Sequence, residues 1–111
     1  MQANDPRIAL DPVFSALADP TRRQFLAALG GGPRSISELA AEVDISLPAV
    51  SRHIKVLERA GLLVREKRGR THFVSLRVEP LDDAMAFLTR TRALWSDKLD
   101  RLEAFLEQTD E

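Results

Sequence analysis

The chain has 111 residues, 44% hydrophobic and 30% charged, with a formal net charge of −1 at pH 7; these values describe one soluble domain with a modest core rather than a disordered chain. It contains no cysteine, two histidines and no tyrosine, which excludes disulfides, thiolate metal sites and a cysteine nucleophile and leaves few side chains suited to catalysis. No apolar run approaches ~18 residues and the N-terminus lacks a signal-peptide pattern, so the expectations are no membrane partner and a cytoplasmic location.

Residues 1–10 show no periodicity and are expected to form a flexible tail. Asp11-Pro12 and Asp19-Pro20 each read as a helix start: aspartate caps orphan amides, and proline at the first helical position loses nothing by lacking an N–H. The first helix carries Val13, Phe14 and Leu17 inward, and the second carries Phe25, Leu26 and Leu29 before stopping at Gly30-Gly31-Gly32-Pro33. No strand precedes those glycines and no Gly-Lys-Ser follows, so they read as a helix end rather than a phosphate loop. Ser35-Ile36-Ser37-Glu38 fits a capping box, opening a short helix to about Val43 that buries Leu39, Ala40 and Val43. Asp44-Ile45 makes a tight turn, and Ser46 caps a further helix to about Ala60 with an inward stripe of Val50, Ile54 and Leu57, stopped by Gly61. Leu62–Lys67 and Thr71–Leu76 are β-prone segments around Arg68-Gly69-Arg70, a hairpin signature. Pro80 then opens a last helix of about 28 residues, ~40 Å long.

The expected fold is therefore mainly α, in the α+β sense: a winged helix-turn-helix with a two-stranded β-hairpin wing, followed by a long C-terminal dimerisation helix. In domain terms, residues 11–78 are expected to bind DNA and residues 79–111 to pair two copies. Ala40, Asp44 and Val50 have the helix-turn-helix spacing: a small residue where two helices touch, a turn residue tolerant of positive φ, and a β-branched residue sealing the angle. From Arg52 to Arg77 the chain carries +6, while all the rest carries −7, so its cationic third is aimed at a polyanion. Double-stranded DNA fits, with the second helix of the motif in a major groove.

The outward residues there divide by chemistry. Ser51 and Arg52 can hydrogen-bond base edges, Leu47 and Pro48 offer apolar contact to a thymine methyl, and Lys55, Arg59, Arg65 and Lys67 suit phosphates. Arg68 and Arg70 flank the glycine of the wing and suit a minor groove. Ser46, at the helix start, and His53, beside the inward stripe, complete the expected DNA-contacting set; for His53 both packing and phosphate contact are open. His72 reads as a surface strand residue of the wing.

Ala18-Asp19-Pro20-Thr21-Arg22-Arg23, Ser37-Glu38-Leu39-Ala40, Ser51-Arg52-His53-Ile54-Lys55-Val56-Leu57 and Ala60-Gly61-Leu62-Leu63 together resemble the ArsR/SmtB family of winged-helix transcriptional regulators. The resemblance implies operator binding as a homodimer, usually repression, sometimes of the regulator's own operon, and release by an effector. It places base reading on Leu47, Pro48, Ser51 and Arg52. The family's metal sensors carry cysteines where this chain has Ala40 and Glu42, or histidines on a last helix that here has none. The chain is thus similar to the metal-independent branch: no metal and no cofactor are expected, and the effector is unknown.

Along the last helix Leu81, Met85, Leu88, Arg92, Trp95, Leu99, Leu102 and Leu106 follow alternating steps of four and three, the seam of a coiled coil with one polar member. Phe87, Leu94 and Phe105 widen the apolar face. Leu81, Met85, Leu88, Trp95, Leu99, Leu102 and Leu106, with Val13, Phe14 and Leu17 of the first helix, form the expected homodimer interface. Asp97, Asp100, Glu103 and Glu107 read as the solvated face of the same helix. No nucleophile–base constellation, phosphate loop or cofactor fingerprint appears, so the chain is not expected to be an enzyme. Two alternatives remain at this stage: a winged-helix module that contacts another protein, and an effector-responsive sensor of a small molecule or metal.

Overall fold

Capping residues set the helix boundaries. In the computed structural model, which describes residues 6–109, helix α1 spans Pro6–Leu17 and α2 spans Pro20–Leu29. Asp19 is extended at the start of α2, and its carboxylate accepts from the Thr21 and Arg22 amides at 2.8 and 3.1 Å. Asp11-Pro12, by contrast, does not begin a helix: α1 already runs through Pro6–Leu10, and Pro12 lies inside it. The same Asp-Pro pair occurs at Asp5-Pro6, and Pro6 takes the first helical position instead. Of the expected N-terminal tail, residues 1–5 lie outside the described residues. Val13 and Ala16 of α1 are buried, a tertiary gain that offsets the amide hydrogen bond missing at Pro12.

Strand β1 is the pair Arg34–Ser35, and α3 spans Ile36–Ala41. The capping box is complete: Ser35 Oγ accepts from the Glu38 amide at 3.0 Å and Glu38 Oε1 from the Ser35 amide at 2.9 Å. Helix α3 ends at Ala41, so Val43 lies past it, half-buried in the turn. Asp44 does not use a left-handed backbone; among the described residues only glycines have positive φ. The turn to α4, Leu47–Arg59, is therefore wide enough to be made without one, and aspartate is tolerated without strain.

Strands β2, Leu63–Arg68, and β3, Thr71–Leu76, form the hairpin, and the antiparallel sheet has the order β1-β3-β2. Arg68 pairs with Thr71 across a loop of Gly69 and Arg70. Gly69 has φ of 63° and Arg70 is not positive, which is the type II′ pattern that suits strand twist. The sequence missed β1, because two residues have no period. The core is one cluster in which Phe25, Leu39, Val50, Ile54, Leu57, Leu62 and Val74 are fully enclosed.

Helix α5, Glu79–Thr109, begins one residue before Pro80 and is 31 residues long, about 46 Å at ~1.5 Å per residue. Its first turns pack on α1, where Phe14 meets Phe87 edge-on at 6.0 Å. After Ala84 no described residue of α5 is buried, and the molecule is 73 Å along its longest axis.

Candidate nucleic-acid interface

The short helix α3, the turn and α4 form the expected helix-turn-helix. Ser46 Oγ accepts from the Ala49 amide at 3.3 Å, and Pro48 sits in the first turn of α4. Ser46 therefore serves first as a cap, which gives α4 its start and direction. Val50, Ile54 and Leu57 anchor one face of α4 in the core. The opposite face carries Leu47, 63% exposed, with Pro48, Arg52, Lys55 and Arg59 exposed and Ser51 half-buried.

The cations of this region fall into two groups. Arg65 is held by Glu58: Nε donates to Oε2 at 3.3 Å and Nη2 to Oε1 at 2.8 Å. This pair joins β2 to the end of α4, so the guanidinium that the sequence offers to a phosphate is engaged by a carboxylate within the chain. Arg77 is likewise taken, by Glu79 at 3.1 Å. Arg68 pairs with Glu66 and lies 4.9 Å over the Phe73 ring, which fixes the arginine along the hairpin while leaving it exposed. Among the described residues, Arg52, Lys55, Arg59, Lys67 and Arg70 have no carboxylate within salt-bridge reach. All five are exposed, and they sit on α4 and the wing.

His53 is turned away from this outer face. Its Nδ1 lies 3.0 Å from Arg22 Nη1, and its ring meets Phe25 edge-on. Of the two readings open from the sequence, the structure shows packing. Nothing in local periodicity indicates the contact of Arg22 with His53, 31 residues away along the chain. Arg22 and Arg23 lean on α1: Arg22 donates to the Ser15 and Ala16 carbonyls, and Arg23 to that of Leu17 at 2.8 Å. The Asp19 carboxyl is held below its ordinary range, first by the Arg22 amide and then by His53 and Arg22 nearby. His72 is exposed on the wing opposite Lys67.

The other expected surface is exposed in a single chain. Met85, Leu88, Trp95, Leu99, Leu102 and Leu106 are all about half-exposed or more, with Trp95 at 59%, and so are Leu94 and Phe105. Leu81, Phe14 and Leu17 are half-buried, whereas Val13 is already enclosed within the chain at 2% exposure. Arg92 is exposed in the seam, and Asp97 of the solvated face pairs with Arg101. Between α1 and α5 an open cleft of about 410 Å³ is lined by Leu10, Val13, Ala60, Pro80, Asp83, Ala86 and Arg90. No described helix is long and apolar enough to cross a membrane.

Known proteins share this arrangement. Residues 17–66 match a family described as a helix-turn-helix domain. The transcriptional repressor SdpR of Bacillus subtilis is 32% identical over 79 residues, covering 71% of this chain and 88% of that protein. An HTH-type transcriptional regulator of Mycobacterium tuberculosis is 44% identical over 59 residues, 53% of this chain and 55% of its own; the chain thus spans about half the length of that relative. The solved structure of an ArsR-like transcriptional regulator from Rhodococcus sp. RHA1 superposes with a TM-score of 0.81 at 31% identity, covering 91% of this chain and 93% of that one. With its winged helix-turn-helix, long closing helix and these relatives, the chain belongs to the ArsR family of DNA-binding transcriptional regulators.

Proposed function

We propose that two copies of this chain pair through α5 and the outer face of α1, and that the pair represses transcription from an imperfectly palindromic operator in the cytoplasm, without catalysing a reaction. The observation that carries the reading is the division of cations: Arg65, Arg68 and Arg77 are paired with carboxylates, while Arg52, Lys55, Arg59, Lys67 and Arg70 are exposed on α4 and the wing with no carboxylate in salt-bridge reach among the described residues. Ser51 and Arg52 read base edges, Arg52 as a bidentate donor to guanine, and Leu47 and Pro48 contact thymine methyls. Lys55, Arg59 and Lys67 bind phosphates, and Arg68 and Arg70 reach a minor groove from the wing. A two-fold axis sets the two α4 helices about one DNA turn apart, ~34 Å.

The apolar face of α5 supports the pairing. Burying a large apolar side chain contributes about 1.5–3 kcal/mol, and α5 leaves at least eight such residues half-exposed or nearly so. A second reading rests on the cleft between α1 and α5, whose apolar floor of Val13 and Ala60 and rim of Asp83 and Arg90 suit a small amphiphile acting as effector.

The test is recovery of the genomic DNA bound in the host, followed by a salt titration of affinity for the recovered sequence. Six phosphate contacts in a dimer give a slope of log affinity against log salt of about −5. A flat response, or no enriched sequence, instead identifies a protein-interaction module.

A further inference from the structure

Arg22 connects three elements at one point. Its Nε and Nη2 donate to the Ala16 and Ser15 carbonyls, each at 2.9 Å; these belong to the last turn of α1, where the Ser15 carbonyl also accepts from the Ala18 amide at 3.2 Å. Its Nη1 lies 3.0 Å from His53 Nδ1, in the middle of α4. The imidazole is otherwise bounded by the Phe25 ring and by Asp19 Oδ2, 3.9 Å from Nδ1.

A guanidinium has donors and no acceptor, so the contact requires a lone pair on Nδ1 and places the proton of the neutral ring on Nε2. A second proton removes that lone pair and sets two cations 3.0 Å apart. The acceptor then within reach is Asp19, which remains ionised because its carboxyl is already held low by the Arg22 amide. The start of α2 presents Arg22 and its cap Asp19; α1 presents the two carbonyls that Arg22 grips; and β2, packed on α4, presents Arg65, which Glu58 holds. Protonation therefore moves the imidazole from the group that grips α1 to the cap of α2.

We propose that Arg22 and His53 are a positioning pair that locks the recognition helix to the end of α1 while His53 is neutral, and that protonation of His53 releases the lock and lowers operator affinity. The proposal rests on α4 being the helix that reads DNA. Because α1 packs on α5, the lock fixes α4 relative to the helices that pair the two copies, and hence the spacing of two recognition helices on one duplex.

Two measurements on the full chain test this. Nitrogen-15 spectra of the imidazoles at pH 8, with His53 assigned by its loss in His53→Gln, should show the Nε2–H tautomer without any DNA present. Operator affinity by fluorescence anisotropy should then fall about tenfold from pH 8 to pH 5.5, the effect of losing one hydrogen bond to a charged group, in the wild type and in His72→Gln alike. His53→Gln retains an acceptor that does not titrate, so its binding should be free of that slope and tighter than that of His53→Leu at pH 8. An Nδ1–H tautomer, or a wild-type slope retained by His53→Gln, overturns the pair while leaving the DNA reading intact. No operator binding by the wild type at pH 8 sinks both. If His53→Gln fails to fold, the imidazole signal retained in His72→Gln assigns His53, and its tautomer alone decides.

Discussion

Arg52, Arg65 and Arg22 carry the same side chain and do three different things. Arg52 has no partner among the described residues and is exposed on α4; in the proposed complex a bidentate pair with guanine discriminates by ~1–3 kcal/mol. Arg52→Ala should weaken operator binding by that amount and relax the preference at one base pair, measured against a set of singly substituted operators. Arg70→Ala should instead weaken all sequences evenly. Arg65 spans both oxygens of Glu58 in a half-buried pair, so Arg65→Gln should lower the thermal midpoint by a few degrees and leave the salt slope unchanged. Lys55→Gln should do the reverse: unchanged stability, and a slope smaller by about 1 per protomer. Charge counting puts Arg65 and Lys55 in one class; the neighbour Glu58 separates them.

At the scale of elements, short caps hold short structures. Helix α3 is six residues long, too short to persist by propensity, and depends on Ser35, itself buried. Ser35→Ala should cost about 1 kcal/mol, read as a drop in urea midpoint with unchanged steepness. The Glu38 carboxyl is held below its usual value, chiefly by the Ser35 amide, and Asp19 by that of Arg22. Both are depressed in the folded state, so their stabilisation is complete above the ordinary carboxylate range of ~4 and is lost as pH falls through the depressed values. Urea midpoints from pH 6 down to pH 3 should fall for the wild type and fall less for Glu38→Gln. The wing depends on Gly69, whose φ of 63° faces open space. Gly69→Val there is costly for backbone reasons alone.

For the whole molecule, the decisive feature is the outer half of α5, which extends past the domain with its apolar side chains exposed. Trp95→Asp places a charge in the centre of that face. Under the proposed pairing, the expected result is monomers by light scattering at concentrations where the wild type gives dimers, with operator affinity much reduced, because one recognition helix alone makes half the contacts. A dimer of undiminished affinity would remove Trp95 from the interface.

Much of this protein is legible from residue order. The caps at Asp19, Ser35 and Ser46, the glycine stop at Gly61, the hairpin and the heptad steps of α5 are all local signals, since capping, turn geometry and helical period involve neighbours a few residues apart. The helix-turn-helix and its outward residues follow from those. What depended on the assembled fold is long-range: β1 exists because β3 pairs with it, Pro12 sits within a helix because Val13 and Ala16 are buried there, and Arg65 is silenced by Glu58. The turn of His53 toward Arg22 belongs to the same class. A side chain's partner is set by where the backbone brings distant atoms within about 3 Å, and no pattern along the chain encodes that distance.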